Sequence, residues 1–392
     1  MTTTLAEEAW TLAFGTLSLE DGLAMREDTA WRLLPGNDPD RFASLLSIAD
    51  LDAFLRTDAA RTPRVSMADG SRQGSAAVPI DDYIEEGGDR VDLPRLFALH
   101  DAGASLVIAQ FHELHAPLAR FCRGLEKAFL HGVQANIYLT PPGAQGFRVH
   151  FDTHDVLVLQ VSGRKAWRVW DGIPYAMPTR HTPWTNDISP DGDPHELVMA
   201  PGDLLYLPRG VMHEAMVQQG QDPSLHITVG LLEPGMGEML RALLLDLETE
   251  EPALRAAMPT WRLAESDGIA RVRERLSAAL AALDSAVAAE RLTMAALDRV
   301  TRDRLALPGR SLHTPPPGPS DRLRLSSGMH HTLVPFAQGG AALRWYGGVE
   351  KLTAEELRWL MMLEEEATPA ELGEEALAFC KRLAQLGLLE RA

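Results

Sequence analysis

An α+β chain built around an antiparallel barrel or jelly roll is the architecture to which the sequence points, on three observations. Short β-favouring runs at residues 133–139, 156–161, 166–170, 204–207 and 225–231 are separated by turn-forming Gly and Pro residues, among them Ser162-Gly163-Arg164 and Pro201-Gly202-Asp203. A His150-Phe151-Asp152 triplet and a distant His213, after Pro208-Arg209-Gly210-Val211-Met212, hold the residue types of one metal site but need a closing barrel wall to meet. Beyond Glu233-Pro234-Gly235 the composition shifts to Ala, Leu, Arg and Glu, so a helical region follows the strands.

Ahead of the barrel, residues 42–55 read as a helix whose apolar face is Leu45, Leu46, Ile48, Leu51, Phe54 and Leu55. Residues 62–88 mix Pro, Gly, Ser and acids and are expected to form loops and short strands. Residues 93–98 and 111–129 carry further helical patterns that decorate the barrel. The segment 1–90 is thus helices and loops packing on the barrel, and 91–235 is the core. Behind it, Ile269, Val272, Leu276, Leu280, Leu283 and Val287 recur at three- and four-residue steps, the stripe of one long amphipathic helix. This helical region, 236–312, gives way to a Pro-rich extended linker, His313-Thr314-Pro315-Pro316-Pro317-Gly318-Pro319. In 320–392, short strands and turns are followed by two capping boxes, Thr353-Ala354-Glu355-Glu356 and Thr368-Pro369-Ala370-Glu371, each opening a helix. A last strand is expected after Gly387.

His150 and Asp152 are two apart, so on a strand both side chains leave the same face and can grip one metal. Two histidines and a carboxylate covering one face of an octahedral ion are the ligand set of non-haem Fe(II) oxygenases, with the opposite face open to co-substrate and oxygen. His-x-Asp alone is a weak motif; the flanking strands and the third histidine give it weight. His154 shares that strand face. With the triad already complete, a hydrogen-bonded pocket wall is the first reading of it, ahead of substrate contact or a spare ligand. His112 and His115 have no strong metal spacing, His226 is expected to pack or hydrogen-bond near the barrel, and His330-His331 to lie on the surface.

The run Gln134-Ala135-Asn136-Ile137-Tyr138-Leu139-Thr140-Pro141-Pro142-Gly143-Ala144-Gln145-Gly146-Phe147, with His150-Phe151-Asp152 and Gly163-Arg164-Lys165-Ala166-Trp167, resembles the JmjC ribosomal oxygenases. These are cupin-fold, Fe(II)- and 2-oxoglutarate-dependent protein hydroxylases, and the resemblance is dense over residues 90–235. It implies a double-stranded β-helix (jelly-roll, cupin/JmjC) core, Fe(II) on His150, Asp152 and His213, and 2-oxoglutarate and O2 as co-substrates. It further implies that Lys165 pairs with the distal carboxylate of 2-oxoglutarate, that Asn136 contacts the same molecule, and that Tyr138 and Thr228 are additional contacts. Electrostatics agree on the lysine, because a buried ammonium is costly unless an anion neutralises it. Without the triad nearby, Lys165 would read as a solvated hairpin residue.

The apolar stripe could pack within the chain or form a dimer seam; the resemblance favours the seam, making 236–312 a dimerisation segment of a homodimer, and it makes 320–392 a winged-helix-like domain. The implied activity is hydroxylation of a side chain of a protein or peptide substrate. An N-methyl demethylase and a peptide natural-product hydroxylase would use the same site. A non-enzymatic metal-binding cupin is the alternative from a different class.

With 392 residues, 45% of them hydrophobic, the chain buries a substantial core. Its 37 Lys and Arg against 55 Asp and Glu leave a formal charge of −18. Such a surface repels nucleic acid and anionic membranes and favours a basic partner, although solubility alone is the plainer explanation. Residues 353–392 hold four Lys or Arg against nine Asp or Glu, a poor surface for phosphate, so a structural or protein-contact role is expected there. Cys122 and Cys380 fit no disulfide framework or metal motif. Residues 1–14 lack a basic region before an apolar core, and no apolar run is long enough to cross a bilayer. No signal peptide, no membrane and a cytoplasmic location are the expectations.

Overall fold

The computed structural model describes residues 4–392 except 180, 183–188, 250, 259, 284–285, 303–308 and 346–347. The chain divides into two compact units, Met1–Leu232 and Glu233–Ala392. In order, the first contains α1 (Leu5–Phe14), α2 (Leu19–Glu27), β1 (Arg32–Leu34), α3 (Ile48–Leu55), β2 (Val65–Ala68), α4 (Leu93–Asp101), β3 (Ser105–Ile108), α5 (Ala116–Phe129) and β4 (Gly132–Thr140). It continues with β5 (Asp155–Ser162), β6 (Lys165–Val169), β7 (His195–Met199), β8 (Leu204–Leu207), β9 (His213–Met216) and β10 (Ser224–Leu232). The strands form two antiparallel sheets, one of seven strands in the order β1-β8-β5-β10-β4-β3-β2 and one of three in the order β7-β6-β9. This is the two-sheet antiparallel core expected from the sequence.

The period of two along each strand separates core from cavity. On β10, Leu225, Ile227, Val229 and Leu231 are buried in one cluster with Val133, Ala135 and Ile137 of β4 and with Trp10, Phe14, Leu51 and Phe121 of the helices. Helices therefore cover one face of the large sheet. The alternate residues, Asn136 and Tyr138 on β4 and His226 and Thr228 on β10, face a cavity shared with the small sheet. Val156 and Val158 of β5 meet Trp167, Val169, Met199, Leu205 and Leu207 in a second apolar cluster that joins the two sheets.

Three elements differ from expectation. The helix expected over 42–55 begins only at Ile48, where Ser47 and Asp50 form a capping box; residues 40–45 are turns. The 111–129 stretch is a short 3-10 turn at Phe111–Glu113 and then α5, with Pro117 in its first turn. The third concerns the second unit, which holds α6 (Met236–Leu247), α7 (Pro252–Arg255), α8 (Gly268–Leu283) and α9 (Ala286–Arg302). The stripe expected on one helix is divided between two, with Val287 on α9. The chain folds back so that Leu283 packs with Ala288, Leu243 and Leu247. Ile269, Leu276 and Leu280 stay 83%, 55% and 54% exposed, one face of α8 that nothing in the described chain covers.

The rest of that unit is β11 (Leu323–Leu325), β12 (His331–Pro335), β13 (Ala341–Trp345), β14 (Gly348–Leu352), α10 (Ala354–Met362), α11 (Pro369–Leu372), α12 (Ala376–Gln385) and β15 (Leu389–Arg391). Both expected capping boxes are present, on Thr353 and Thr368. β12, β13 and β14 form a meander, and β11 pairs with β15. His330 and His331 are half-buried, not on the surface, because His331 pairs with Trp345 in the meander. Cys122 and Cys380 are free and buried. Among the described residues no helix is long and apolar enough to cross a membrane.

One glycine matters for the site. Gly163, at φ +67°, turns the chain from β5 in the large sheet to β6 in the small one, and a Cβ there would lie 2.2 Å from the carbonyl oxygen of Pro223. Replacing it by Ala adds both left-handed strain and a clash with backbone. Gly163→Ala should cost about 1–3 kcal/mol in urea unfolding; an unchanged midpoint would show that the turn relaxes without loss.

Candidate metal and co-substrate site

The three ligand candidates converge. Donor atoms of His150, Asp152 and His213 all lie within 4.8 Å of one another, the only such His/Cys/Asp/Glu cluster found among the described residues. His213 opens β9. His150 and Asp152 sit in an irregular segment, not in the regular strand expected: β4 ends at Thr140, and Pro141, Pro142 and Gly143 (φ +73°) follow before the chain reaches them. Pairing with β9 restores the geometry locally: the His150 amide donates to the His213 carbonyl at 3.0 Å and the His213 amide donates back at 2.8 Å. The Gly210 amide holds the Asp152 carbonyl at 3.0 Å.

Both imidazoles are oriented by their own backbone. Nδ1 of His150 lies 2.7 Å from the Arg148 carbonyl, and Nδ1 of His213 lies 2.9 Å from that of Val211. A carbonyl can only accept, so each Nδ1 carries the proton and each Nε2 presents a lone pair, the form that binds a metal. Burial, and then the neighbouring His150, hold the His213 imidazole below its usual range, against the opposing pull of Asp152. His213 Nε2 and an Asp152 oxygen are 3.7 Å apart, and the Asp152 side chain keeps 37% exposure. Two imidazoles with Nε2 turned inward and a carboxylate with a solvent-reachable side fit a divalent ion of the Fe(II) kind.

The same cavity, of about 260 Å³, has a cationic end. Lys165, only 4% exposed, is no solvated hairpin residue. Its Nζ donates to the Thr140 hydroxyl at 2.9 Å, which also accepts from Ser105 at 3.0 Å. Among the described residues no carboxylate pairs with it, and burial alone pushes the ammonium down to about 7. A buried cation with no carboxylate beside it among the described residues is the counterpart of an anionic ligand. Asn136 also lines the cavity. Gln110, in a left-handed conformation at φ +52°, donates its backbone amide to Asn136 Oδ1 at 2.9 Å, so the Asn136 side-chain NH2 is left for a ligand.

Tyr138 and Thr228 line the wall between the two ends and are hydrogen-bonded to each other; burial, with Asp152 adding to it, pushes the phenol up to about 12. Tyr138 stacks on His226 at 4.9 Å, and Trp167 meets the same imidazole edge-on at 5.9 Å. Burial and then Lys165 hold His226 well below the usual imidazole range, so it stays neutral beside the lysine. His226 Nδ1 and Trp167 Nε1 are buried without a partner. His154 lines the cavity with Nε2 at 3.3 Å from Gln134 and Nδ1 unpartnered, so it is a wall only partly hydrogen-bonded. His112 is buried and accepts the Ala135 amide at 3.2 Å; it belongs to the core. Sequence reasoning did not single out Thr140, Ser105 or Trp167. Thr140 shares strand parity with Asn136 and Tyr138, the one signal that would have found it.

Residues 107–239 match the JmjC domain family. The chain is 33% identical to rat ribosomal oxygenase 2 over 183 residues, 44% of this chain and 39% of that protein. It is 33% identical to human ribosomal oxygenase 1 over 215 residues, 52% of this chain and 31% of that one. With a Drosophila persimilis protein named bifunctional lysine-specific demethylase and histidyl-hydroxylase NO66 it shares 38% identity over 141 residues, 35% of this chain and 20% of that one. The chain thus matches well under half the length of these curated relatives. Escherichia coli ycfD is similar in fold over 95% of this chain and 97% of its own, with a TM-score of 0.56 at 16% identity. The structure of that ribosomal oxygenase with cobalt and 2-oxoglutarate gives a TM-score of 0.52 at 18% identity, covering 95% and 96%.

Lys165 yields a pH test. With its pKa near 7 in the folded chain against the ordinary lysine value of 10.5, the unfolded chain binds more protons between those values. Its cost to stability is therefore complete below about pH 7 and fades as pH rises toward 10.5. Lys165→Met should stabilise the ligand-free protein by roughly 2–4 kcal/mol at pH 6, and by less at each step toward alkaline pH. A pH-independent difference in urea melts would contradict a buried, unpaired ammonium.

Proposed function

We propose that this chain, whose residues 107–239 match the JmjC domain family and which is similar to ribosomal oxygenases, is an Fe(II)- and 2-oxoglutarate-dependent oxygenase that hydroxylates a side chain of a protein or peptide. One observation carries this reading: a metal-ligand triad and an unpaired buried lysine face the same cavity. His150, Asp152 and His213 would hold the metal. Lys165, steadied by Thr140, would neutralise the distal carboxylate of 2-oxoglutarate, with Asn136, Tyr138 and Thr228 as its further contacts. Fe(II) with 2-oxoglutarate supplies the oxidising chemistry, in which oxygen is consumed, carbon dioxide and succinate leave, and one oxygen atom goes to the substrate.

The remaining work belongs to the chain. The backbone carbonyls of Arg148 and Val211 fix which imidazole nitrogen faces the metal. Trp167, Tyr138 and His226 wall the co-substrate end against water, where a charge pair is stronger than in solvent. The exposed side of Asp152 marks the end that a substrate side chain would enter.

The substrate class follows from charge and from the relatives' names. An acidic chain of net charge −18 favours a basic polypeptide and disfavours nucleic acid. A cytoplasmic location fits a chain with two free cysteines. We read 1–90 as the segment that packs on the 91–235 core, 236–312 as a dimerisation segment and 320–392 as a winged-helix-like domain. The exposed Ile269, Leu276 and Leu280 face of α8 supports a homodimer seam.

Incubation with Fe(II), 2-oxoglutarate and candidate ribosomal proteins should give succinate together with a peptide heavier by one oxygen atom. Formaldehyde with loss of a methyl group would instead indicate N-methyl demethylation, an activity in the name of the Drosophila relative. Asp152→Ala should abolish turnover, and full activity there would remove the triad. Lys165→Ala should raise the 2-oxoglutarate requirement about 100-fold, since losing one partner of a buried charge pair costs a few kcal/mol. An unchanged requirement would mean that another group holds the distal carboxylate. For assembly, Leu276→Asp with Leu280→Asp should yield a monomer by light scattering; a monomeric wild type at micromolar concentration would exclude the seam.

A further inference from the structure

Asp155 is neither a metal ligand nor a cavity residue, yet four donors converge on it. It opens β5, three residues past Asp152, with its side chain 13% exposed. Oδ1 accepts the Arg209 amide at 3.0 Å. Oδ2 accepts the Tyr206 hydroxyl at 3.1 Å and both Nε and Nη2 of Arg26 at 3.3 Å. Arg26, on α2, is held in turn: Nη1 lies 3.0 Å from His131 Nε2, and the guanidinium sits 5.1 Å over the Phe129 ring. His131 Nδ1 lies 3.1 Å from the Gly132 carbonyl, so it carries the proton, and Nε2 accepts from Arg26.

Arg209 belongs to the Pro208-Arg209-Gly210 turn that leads into His213. The next amide, Gly210, donates to the Asp152 carbonyl at 3.0 Å. Gly210 has φ +88°, and a Cβ there would lie 2.8 Å from Ile173 and 3.1 Å from Pro178, so the turn has little room to shift. Successive amides of this one turn are therefore gripped from the segment that bears Asp152, one by its carbonyl and one by the Asp155 carboxylate.

We propose that Asp155 is a positioning residue of the metal site, a clamp that fixes the Asp152 arm against the His213 arm, with Arg26 of α2 supplying its counter-charge. The inference rests on the metal-centre reading above. Partners behind the ligands commonly set metal affinity by about 10–100-fold. Asp155 does so through the spacing of two chain segments.

The test is Co(II) alone, titrated into the full chain and followed by its visible absorption, for wild type, Asp155→Asn and Tyr206→Phe. Asp155→Asn sets an amide N–H against Arg26. It should bind Co(II) about 10–100-fold more weakly, with shifted ligand-field bands, while circular dichroism stays native. Tyr206→Phe removes one donor but leaves the Arg209 contact and should bind nearly as wild type. A purely structural Asp155 would lower the melting temperature and leave affinity and bands of the folded protein unchanged, and that result overturns the clamp. If Asp155→Asn does not fold, hydrogen exchange in metal-free wild type decides. The Arg209 and Gly210 amides should then be as protected as those of β8, and fast exchange overturns the proposal. A wild type that takes up no Co(II) overturns the metal centre itself, and the clamp with it.

Discussion

His150 and His213 exchange backbone hydrogen bonds in both directions, at 3.0 and 2.8 Å, and much else in the site follows from that pairing. An antiparallel pair of this kind fixes the spacing of the two residues, and the same backbone then turns each imidazole through its Nδ1. Asp152, two positions on, arrives on the same side. The ligand geometry is thus set mostly by main chain, which holds a constellation more rigidly than long side chains would. Gly143, at φ +73° just past the end of β4, lies in the turn from which the chain runs on to pair with β9.

The two sheets then divide the labour. The helix-covered face of the large sheet is apolar and fully packed, so its other face can carry polar side chains without endangering the fold. That face, with β6 opposite, makes a cavity with a carboxylate and two imidazoles in its wall and a lone ammonium at one end. Leaving Lys165 without a carboxylate costs stability in the ligand-free protein. A dicarboxylate with one end on the metal and the other at Lys165 would relieve that cost, which ties affinity to a ligand of one charge pattern. The neutral His226 beside it adds polarity without adding a second cation.

Much of this was legible in the sequence, for identifiable reasons. The triad was visible because the strand period puts His150 and Asp152 on one side, and because the flanking strands and His213 gave weight to a motif that is weak alone. Lys165 and Asn136 came from the resemblance, not from their spacing. Thr140, Ser105 and Trp167 were not singled out, because their role depends on which strands face each other across the cavity, and local pattern does not encode that. The irregular path of 150–152 was likewise hidden, since extended residues read as strand whether or not their ladder is complete. Local signals were reliable where they were capping boxes, as at Thr353 and Thr368, and failed where tertiary folding intervened, as between α8 and α9.

Anomalous diffraction from crystals of the full chain loaded with Co(II) and 2-oxoglutarate tests the central claim most directly. The account predicts a single strong anomalous peak within bonding distance of Nε2 of His150, Nε2 of His213 and the Asp152 carboxylate, with the co-substrate's far carboxylate against Nζ of Lys165. A metal held elsewhere, or a far carboxylate directed away from Lys165, would contradict it.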